Sequence, residues 1–303
     1  MKKTPILPKA LRPGDAVAVV APSGPISPEK LEVGLDFLRS WKLEPVVFPH
    51  VLDRAGYLAG SDEDRLADLT AAFSDPGIAG IFCARGGYGT MRFLPRLDVD
   101  LIEAHPKVFV GFSDITVLQM IFRNRAALPT FSAPMIAGTQ IAHITEGEKE
   151  HYHRLLFEPK YRGLLPGRGR ALKPGKARGL LFGGNLTMLI HLAAIGELPD
   201  LRDAILLIED VNEPPYRIDR ALTTLKLAGK LAGVRGILAG QFVGVDPTES
   251  GRILLDILGG LSVPIIGDFP IGHGERNVAV PFGIPVEIDA AKGCVSILEG
   301  AVC

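Results

Sequence analysis

Short apolar runs, separated at regular intervals by turn residues and helix starts, set the pattern of this chain. Residues 15–21 (DAVAVVA) follow Pro13-Gly14 and are apolar after the first position, the profile of a strand buried on both faces. Pro22-Ser23-Gly24-Pro25 breaks the run. Ser27-Pro28-Glu29 then supplies a helix cap, a first-turn proline and a first-turn acid, with Leu31, Leu35, Phe37 and Leu38 as the buried stripe. Residues 45–48 read as a second strand, and Ser61-Asp62-Glu63-Asp64 opens a second helix running toward Phe73. Residues 78–84 form a third strand, ending in Arg85-Gly86-Gly87-Tyr88-Gly89, and residues 107–112 a fourth. Strand alternating with helix predicts a parallel sheet covered on both faces, a flavodoxin-like arrangement.

The pattern resumes after a break. Residues 179–182, 204–208, 236–239 and 264–266 read as strands, interleaved with helices over 186–194, 218–227 and 253–258. Residues 267–277 are a loop, and 286–288 with 294–298 close as a hairpin. Between the two halves, residues 158–178 are rich in Gly, Pro, Lys and Arg and carry no acid after Glu158. A solvated linker explains them better than an anion or nucleic-acid tract, because Lys plus Arg (33) balances Asp plus Glu (34) over the whole chain. The expected organisation is a flavodoxin-like domain over 1–157, a linker over 158–177 and a smaller β/α domain over 178–303. A length of 303 residues also favours two domains.

Composition excludes more than it selects. Hydrophobic residues at 47% and charged residues at 22% are those of an ordinary globular protein. A net charge of -1 gives no reason to expect a nucleic-acid or membrane partner, and no apolar run reaches spanning length. The opening Met1-Lys2-Lys3-Thr4-Pro5-Ile6-Leu7-Pro8 lacks the apolar stretch of a secretory signal. Cys83, Cys294 and Cys303 are scattered, without metal-site or disulfide spacing, which fits a reducing cytoplasm.

Three stretches could carry chemistry. Ser113 stands between the strand 107–112 and a helix whose face is Ile115, Leu118, Ile121 and Phe122. That turn resembles a nucleophile elbow, although Ile115 replaces its last glycine, and a serine there also commonly caps the helix. Glu209 ends an apolar strand, where ligands collect in open α/β sheets; the same acidic stretch could instead form a surface net with Arg217 and Arg220. His273 lies between Gly272 and Gly274, the best placed of the seven histidines to act as a base. Serine, then glutamate, then histidine is the order in which α/β-hydrolases supply nucleophile, orienting carboxylate and base. A serine hydroxyl needs such a base, and the base needs a partner that fixes its tautomer.

Five motifs in register resemble the LD-carboxypeptidase family of serine peptidases, which includes the microcin C self-immunity peptidases. They are Arg85-Gly86-Gly87-Tyr88-Gly89, Gly111-Phe112-Ser113-Asp114, Gly183-Gly184-Asn185-Leu186, Ile208-Glu209-Asp210 with Pro215-Tyr216-Arg217-Ile218-Asp219, and Gly272-His273-Gly274. The resemblance implies Ser113 as nucleophile, His273 as general base and Glu209 as its orienting carboxylate. It implies an oxyanion hole from the N–H of Asp114 and one from the Gly86-Gly87 turn. It implies a cleft site between two domains, no metal or organic cofactor, a murein tetrapeptide losing its terminal D-alanine, and a homodimer. Phe131-Ser132-Ala133-Pro134-Met135 departs from the His-Gly-Pro type sequence of many relatives, at the wall of the substrate pocket.

Rival readings are weaker. Residues 85–89 lack G-x-G-x-x-G, and 169–177 lack both P-loop spacing and a Ser or Thr after Lys176. His151 and His153 could pair on a metal, but no companion ligand is evident, and a polar helix face explains them. Two alternatives stay open. One is a peptidase for aminoacyl-nucleotide conjugates, which would want an aromatic shelf; the single tryptophan, Trp41, is far from the motifs. The other is a non-catalytic binder of small ligands.

Overall fold

The computed structural model describes residues 4–303 and contains two sheets. Met1, Lys2 and Lys3, part of the opening segment considered above, lie outside the described residues. The first sheet begins with β1 (Ala16–Val20), β2 (Glu44–Val47), β3 (Ile78–Cys83), β4 (Val108–Gly111) and β5 (Thr130–Ser132). These pair in parallel in the order β2-β1-β3-β4-β5, the flavodoxin order. Val17 to Val20 and Val108 to Val110 are buried, as continuous apolar runs in a doubly covered sheet should be.

The second sheet takes β6 (Gly163–Leu164), β7 (Arg170–Lys173), β8 (Lys176–Asn185), β9 (Ala204–Val211), β10 (Gly236–Val243) and β11 (Ile265–Gly267). The chain then returns to the first sheet as β12 (Val280–Phe282), antiparallel to β5, before the hairpin β13 (Pro285–Asp289) and β14 (Cys294–Ile297) completes the second. Here β8, β9, β10 and β11 are parallel neighbours, and β6, β14, β13 and β7 add antiparallel edges.

Two differences from expectation have physical causes. The stretch expected as a solvated linker carries β6 and β7, and β8 starts at Lys176. Three of its cations are held by neighbouring groups: Lys176 and Arg178 on β8 pair with Asp289 at 3.2 Å and Glu287 at 2.5 Å on β13, and Lys173 on the edge strand β7 donates to the Gly259 carbonyl at 2.8 Å. Charged edge strands of this kind resist further pairing, so their composition resembles a linker. Second, β12 puts Val280 and Phe282 into the core of the first sheet, so sequence order and sheet membership do not coincide.

Helix Thr116–Arg125 follows β4, and Asn185 at the end of β8 donates its N–H to Thr116 Oγ1 at 3.1 Å. That bond brings the carboxyl ends of β4 and β8 together, and β9 lies beside β8 in register Asn185 with Glu209. Both sheets therefore aim their carboxyl edges at one place.

Candidate active site

Ser113 leaves β4 through a backbone turn few serines adopt. Its φ is +65°, and a single 3-10 turn, Ser113–Ile115, precedes the α-helix that starts at Thr116. A left-handed non-glycine residue is sterically costly and usually local to function. The caps of the 3-10 turn and of the α-helix fall on Phe112 and Ile115, and among the described residues Ser113 Oγ makes no bond to a helix N–H, so helix capping does not explain the residue. Its Oγ instead lies 2.9 Å from His273 Nε2.

His273 comes from the loop between β11 and β12. Its Nδ1 lies 2.6 Å from Glu209 Oε2. With Nδ1–H donating to that carboxylate, Nε2 keeps its lone pair and accepts the Ser113 hydroxyl proton. The ring also packs against Phe112, centroids 4.9 Å apart. Several contacts fix the loop. Gly272 N–H donates to Asn277 Oδ1 at 2.9 Å, Gln140 Nε2 donates to the Gly274 carbonyl at 3.2 Å, and Arg276 Nε pairs with buried Glu148 at 2.6 Å. Gly272 has φ +109°, and a Cβ there would sit 2.4 Å from Glu209 Oε2. Only glycine lets the loop pass so close to the carboxylate.

The electrostatics follow from burial and pairing. Burial pushes the Glu209 carboxyl above its usual range, against the pull of His273's charge and hydrogen bond. Burial works against a charged His273 as well, but Glu209's charge and hydrogen bond, with Asp210 adding, outweigh it and hold the imidazole above 6.5. The direction that matters is that of His273: the pair favours an imidazolium at Nε2 once a proton arrives.

Gly86 lies on the other side of Ser113, so close that a Cβ would meet Ser113 Cβ at 2.7 Å and Oγ at 2.9 Å. The N–H groups of Gly86, Gly87 and Asp114 have no acceptor within the chain among the described residues. Of these, Gly86 borders the hydroxyl directly, Asp114 follows Ser113 in the chain, and Gly87 continues the same turn against Gly24. Met135, within the divergent stretch 131–135, also borders the site, its Cε 3.4 Å from that same Cβ position. Arg85 is exposed and donates to the Pro25 carbonyl at 2.7 Å.

The structure thus brings together Ser113, Glu209 and His273, with Gly86, Gly87 and Asp114 around the first. It separates others. Arg217 pairs with Glu213 at 3.3 Å and Arg220 lies over Tyr216, so the surface net forms without Glu209. Asp210 faces away from the serine, accepting from Thr187 N–H at 2.9 Å and Asn185 Nδ2 at 2.8 Å. His151 is buried rather than on a polar face, bonded to the Tyr161 hydroxyl and the Ala279 carbonyl, each at 2.8 Å. Gln140, Asn277, Ser23 and Thr90 had no signal in the sequence; they act through hydrogen bonds set by tertiary structure, Thr90 through two. Among the described residues one group, His50, Asp53 and Asp64, offers three metal-type ligand atoms within 4.8 Å of one another. It lies by the start of helix Asp62–Ser74, and His50 Nδ1 is already engaged with Asp53 at 2.8 Å.

Two α/β sheets meeting at their carboxyl edges over a Ser-His-Glu hydrogen-bond chain define a serine-type hydrolase. The chain belongs to the LD-carboxypeptidase family: that family's N-terminal domain model matches residues 17–133 and its C-terminal domain model residues 178–288. It is 47% identical to a Streptomyces coelicolor protein carrying a provisional carboxypeptidase name, over 98% of each chain. It is 35% identical to the murein tetrapeptide carboxypeptidase of Pseudomonas aeruginosa, over 88% of this chain and 91% of that one. Its fold matches the crystal structure of an MccF-like protein from Bacillus anthracis with a TM-score of 0.90, at 24% identity over 97% and 99% of the two chains.

Proposed function

We propose that this protein is an L,D-carboxypeptidase that releases the terminal D-alanine of murein tetrapeptides, with Ser113, His273 and Glu209 as its triad. The observation that carries the reading is the unbroken hydrogen-bond chain from Ser113 Oγ through both nitrogens of His273 to Glu209. Ser113 Oγ attacks the carbonyl carbon before the terminal residue while its proton passes to His273 Nε2. The carbonyl oxygen takes the negative charge and is met by N–H groups of Asp114 and the Gly86-Gly87 turn. Each such donor contributes about 3 kcal/mol. His273 returns the proton to the amine as the C–N bond breaks, and D-alanine leaves. Water then gives a proton to His273 and its hydroxyl to the acyl carbon, freeing Ser113 and a tripeptide carboxylate.

The murein substrate is supported by the name of the Pseudomonas aeruginosa relative, matched over most of both chains. The Bacillus anthracis likeness, at 24% identity, bears on the fold alone and does not favour an aminoacyl-nucleotide substrate. A cytoplasmic setting fits three cysteines that are all free thiols, and no helix among the described residues is long and apolar enough to cross a membrane. We place the enzyme there as a homodimer, to be checked by light scattering.

Mass spectrometry of purified murein tetrapeptide incubated with wild type and with Ser113→Ala tests the reading. Loss of one alanine with wild type alone supports it. Loss with both proteins removes Ser113 from the chemistry, and loss with neither removes the substrate.

A further inference from the structure

The residue after the nucleophile has a side chain whose bonds reach both loops bordering Ser113. Asp114 is 2% exposed. Its Oδ2 accepts from Ser23 Oγ at 2.6 Å, in the loop after β1, and from the N–H of Thr90 at 3.0 Å, just beyond the Gly86-Gly87 turn. Thr90 Oγ1 donates in return to the Asp114 carbonyl at 3.0 Å. Gly24, next to Ser23, donates its N–H to the Gly86 carbonyl at 3.0 Å. Elbow, glycine turn and β1 loop are therefore closed into one ring of hydrogen bonds.

Arg65 braces that ring from below. It is 1% exposed, donates Nη1 to the Pro22 carbonyl at 2.6 Å, and lies 5.3 Å from the ring of Phe93 in the short helix Thr90–Phe93. Stability alone gives no reason for an acid at the centre. Burial drives the Asp114 carboxyl upward, only partly offset by Ser23 and Thr90, and its Oδ1 has no partner among the described residues. A buried, half-satisfied carboxyl is a cost to folding.

We infer that the Asp114 side chain is a positioning residue that sets the gap between its own N–H and the N–H groups of Gly86 and Gly87. That gap must match an oxyanion, and displacements of about 1 Å in such arrangements cost about 10²-fold in rate. The inference rests on Ser113 being the nucleophile proposed above.

The test measures kcat and KM on murein tetrapeptide, together with the rate at which a fluorophosphonate labels Ser113. Labelling needs the same hole but no particular substrate. Asp114→Ala is expected to lower kcat and labelling about 10²-fold with KM within about threefold. Asp114→Asn, which keeps an acceptor oxygen for Ser23 and Thr90, should stay within about tenfold of wild type in both. Ser23→Ala and Thr90→Val, each cutting part of the ring, should fall between. Wild-type labelling by a folded Asp114→Ala protein overturns the inference, as does a loss confined to KM. An Asn variant as slow as the Ala variant overturns the hydrogen-bond account. Should Asp114→Ala fail to fold, the Ser23 and Thr90 variants decide, and unchanged labelling in both is refutation. Wild type that labels at Ser113 but releases no alanine refutes the murein reading alone, while absence of labelling at Ser113 refutes the nucleophile and this inference with it.

Discussion

Replacing Glu209 by Gln removes one charge and almost no volume from the buried end of the hydrogen-bond chain. The Glu209 side chain is 3% exposed and its Oε2 lies 2.6 Å from His273 Nδ1. In the transition state the imidazole carries a proton at both nitrogens, so a charge pair forms that the resting enzyme lacks. At an effective dielectric constant of about 20, unit charges about 4 Å apart attract by about 4 kcal/mol. At 1.36 kcal/mol per decade that is about 10³-fold in rate. A glutamine amide can also turn its NH2 toward Nδ1, which forces the proton onto Nε2 and disables the base, so the expected loss in kcat/KM is about 10³ to 10⁴-fold. The pH profile makes the test specific. Only neutral His273 can act as base, and the carboxylate holds its pKa above 6.5 against burial, so wild-type kcat/KM should fall as pH drops through that raised value. With glutamine, burial still lowers the pKa and the main opposing charge is gone, so the acid limb should move to lower pH. Initial rates of alanine release across the range in which histidine titrates read both effects. A folded Glu209→Gln protein within tenfold of wild type, with its acid limb unmoved, would refute the role assigned to Glu209.

Ser113→Ala and His273→Ala should each lower turnover by about 10⁴-fold or more while leaving the thermal unfolding profile cooperative, which calorimetry and alanine release together check. Gly86→Ala places a methyl 2.7 Å from Ser113 Cβ, so the glycine turn must shift; kcat should drop about 10²-fold with unfolding little changed, and an unaffected kcat would show that the turn is not part of the site. In Gly272→Ala the methyl meets Glu209 Oε2 at 2.4 Å at a backbone φ of +109°, so both activity and stability should suffer, the latter by about 1–3 kcal/mol in denaturant titration.

The fold was legible where burial is two-sided. β1, β3 and β4 lie in the middle of the first sheet, and their side chains face helices or loops on both faces, so the sequence shows them as uninterrupted apolar runs. Edge strands carry no such mark. Arg170–Lys173 is four residues of mixed character that pair antiparallel with β11, and its only signature is the pairing itself. Val280–Phe282 contains a proline, which suits a sheet edge, and its partner β5 lies nearly 150 residues earlier in the chain, far outside any local pattern.

The site was legible in its residue types and not in its directions. Glu209 and Asp210 are neighbours on one strand, and successive strand side chains face opposite ways. β9 is buried on both faces from Ala204 to Asp210, so no alternation in the sequence tells which acid faces the serine. The five-motif resemblance selected Glu209, and geometry gives a reason: Asp210 is occupied on the other face, holding the N-terminus of helix Leu186–Ala194 through Thr187 and Asn185. The paired acids therefore divide one strand end, Glu209 bonded to His273 and Asp210 to the helix N-terminus. Asp114 would combine both tasks in a single residue under the proposed mechanism, its N–H offered to the oxyanion, while its carboxylate holds the surrounding loops. A motif scan sees only that an acid follows the serine; what that acid does depends on Ser23 and Thr90, 91 and 24 residues away along the chain.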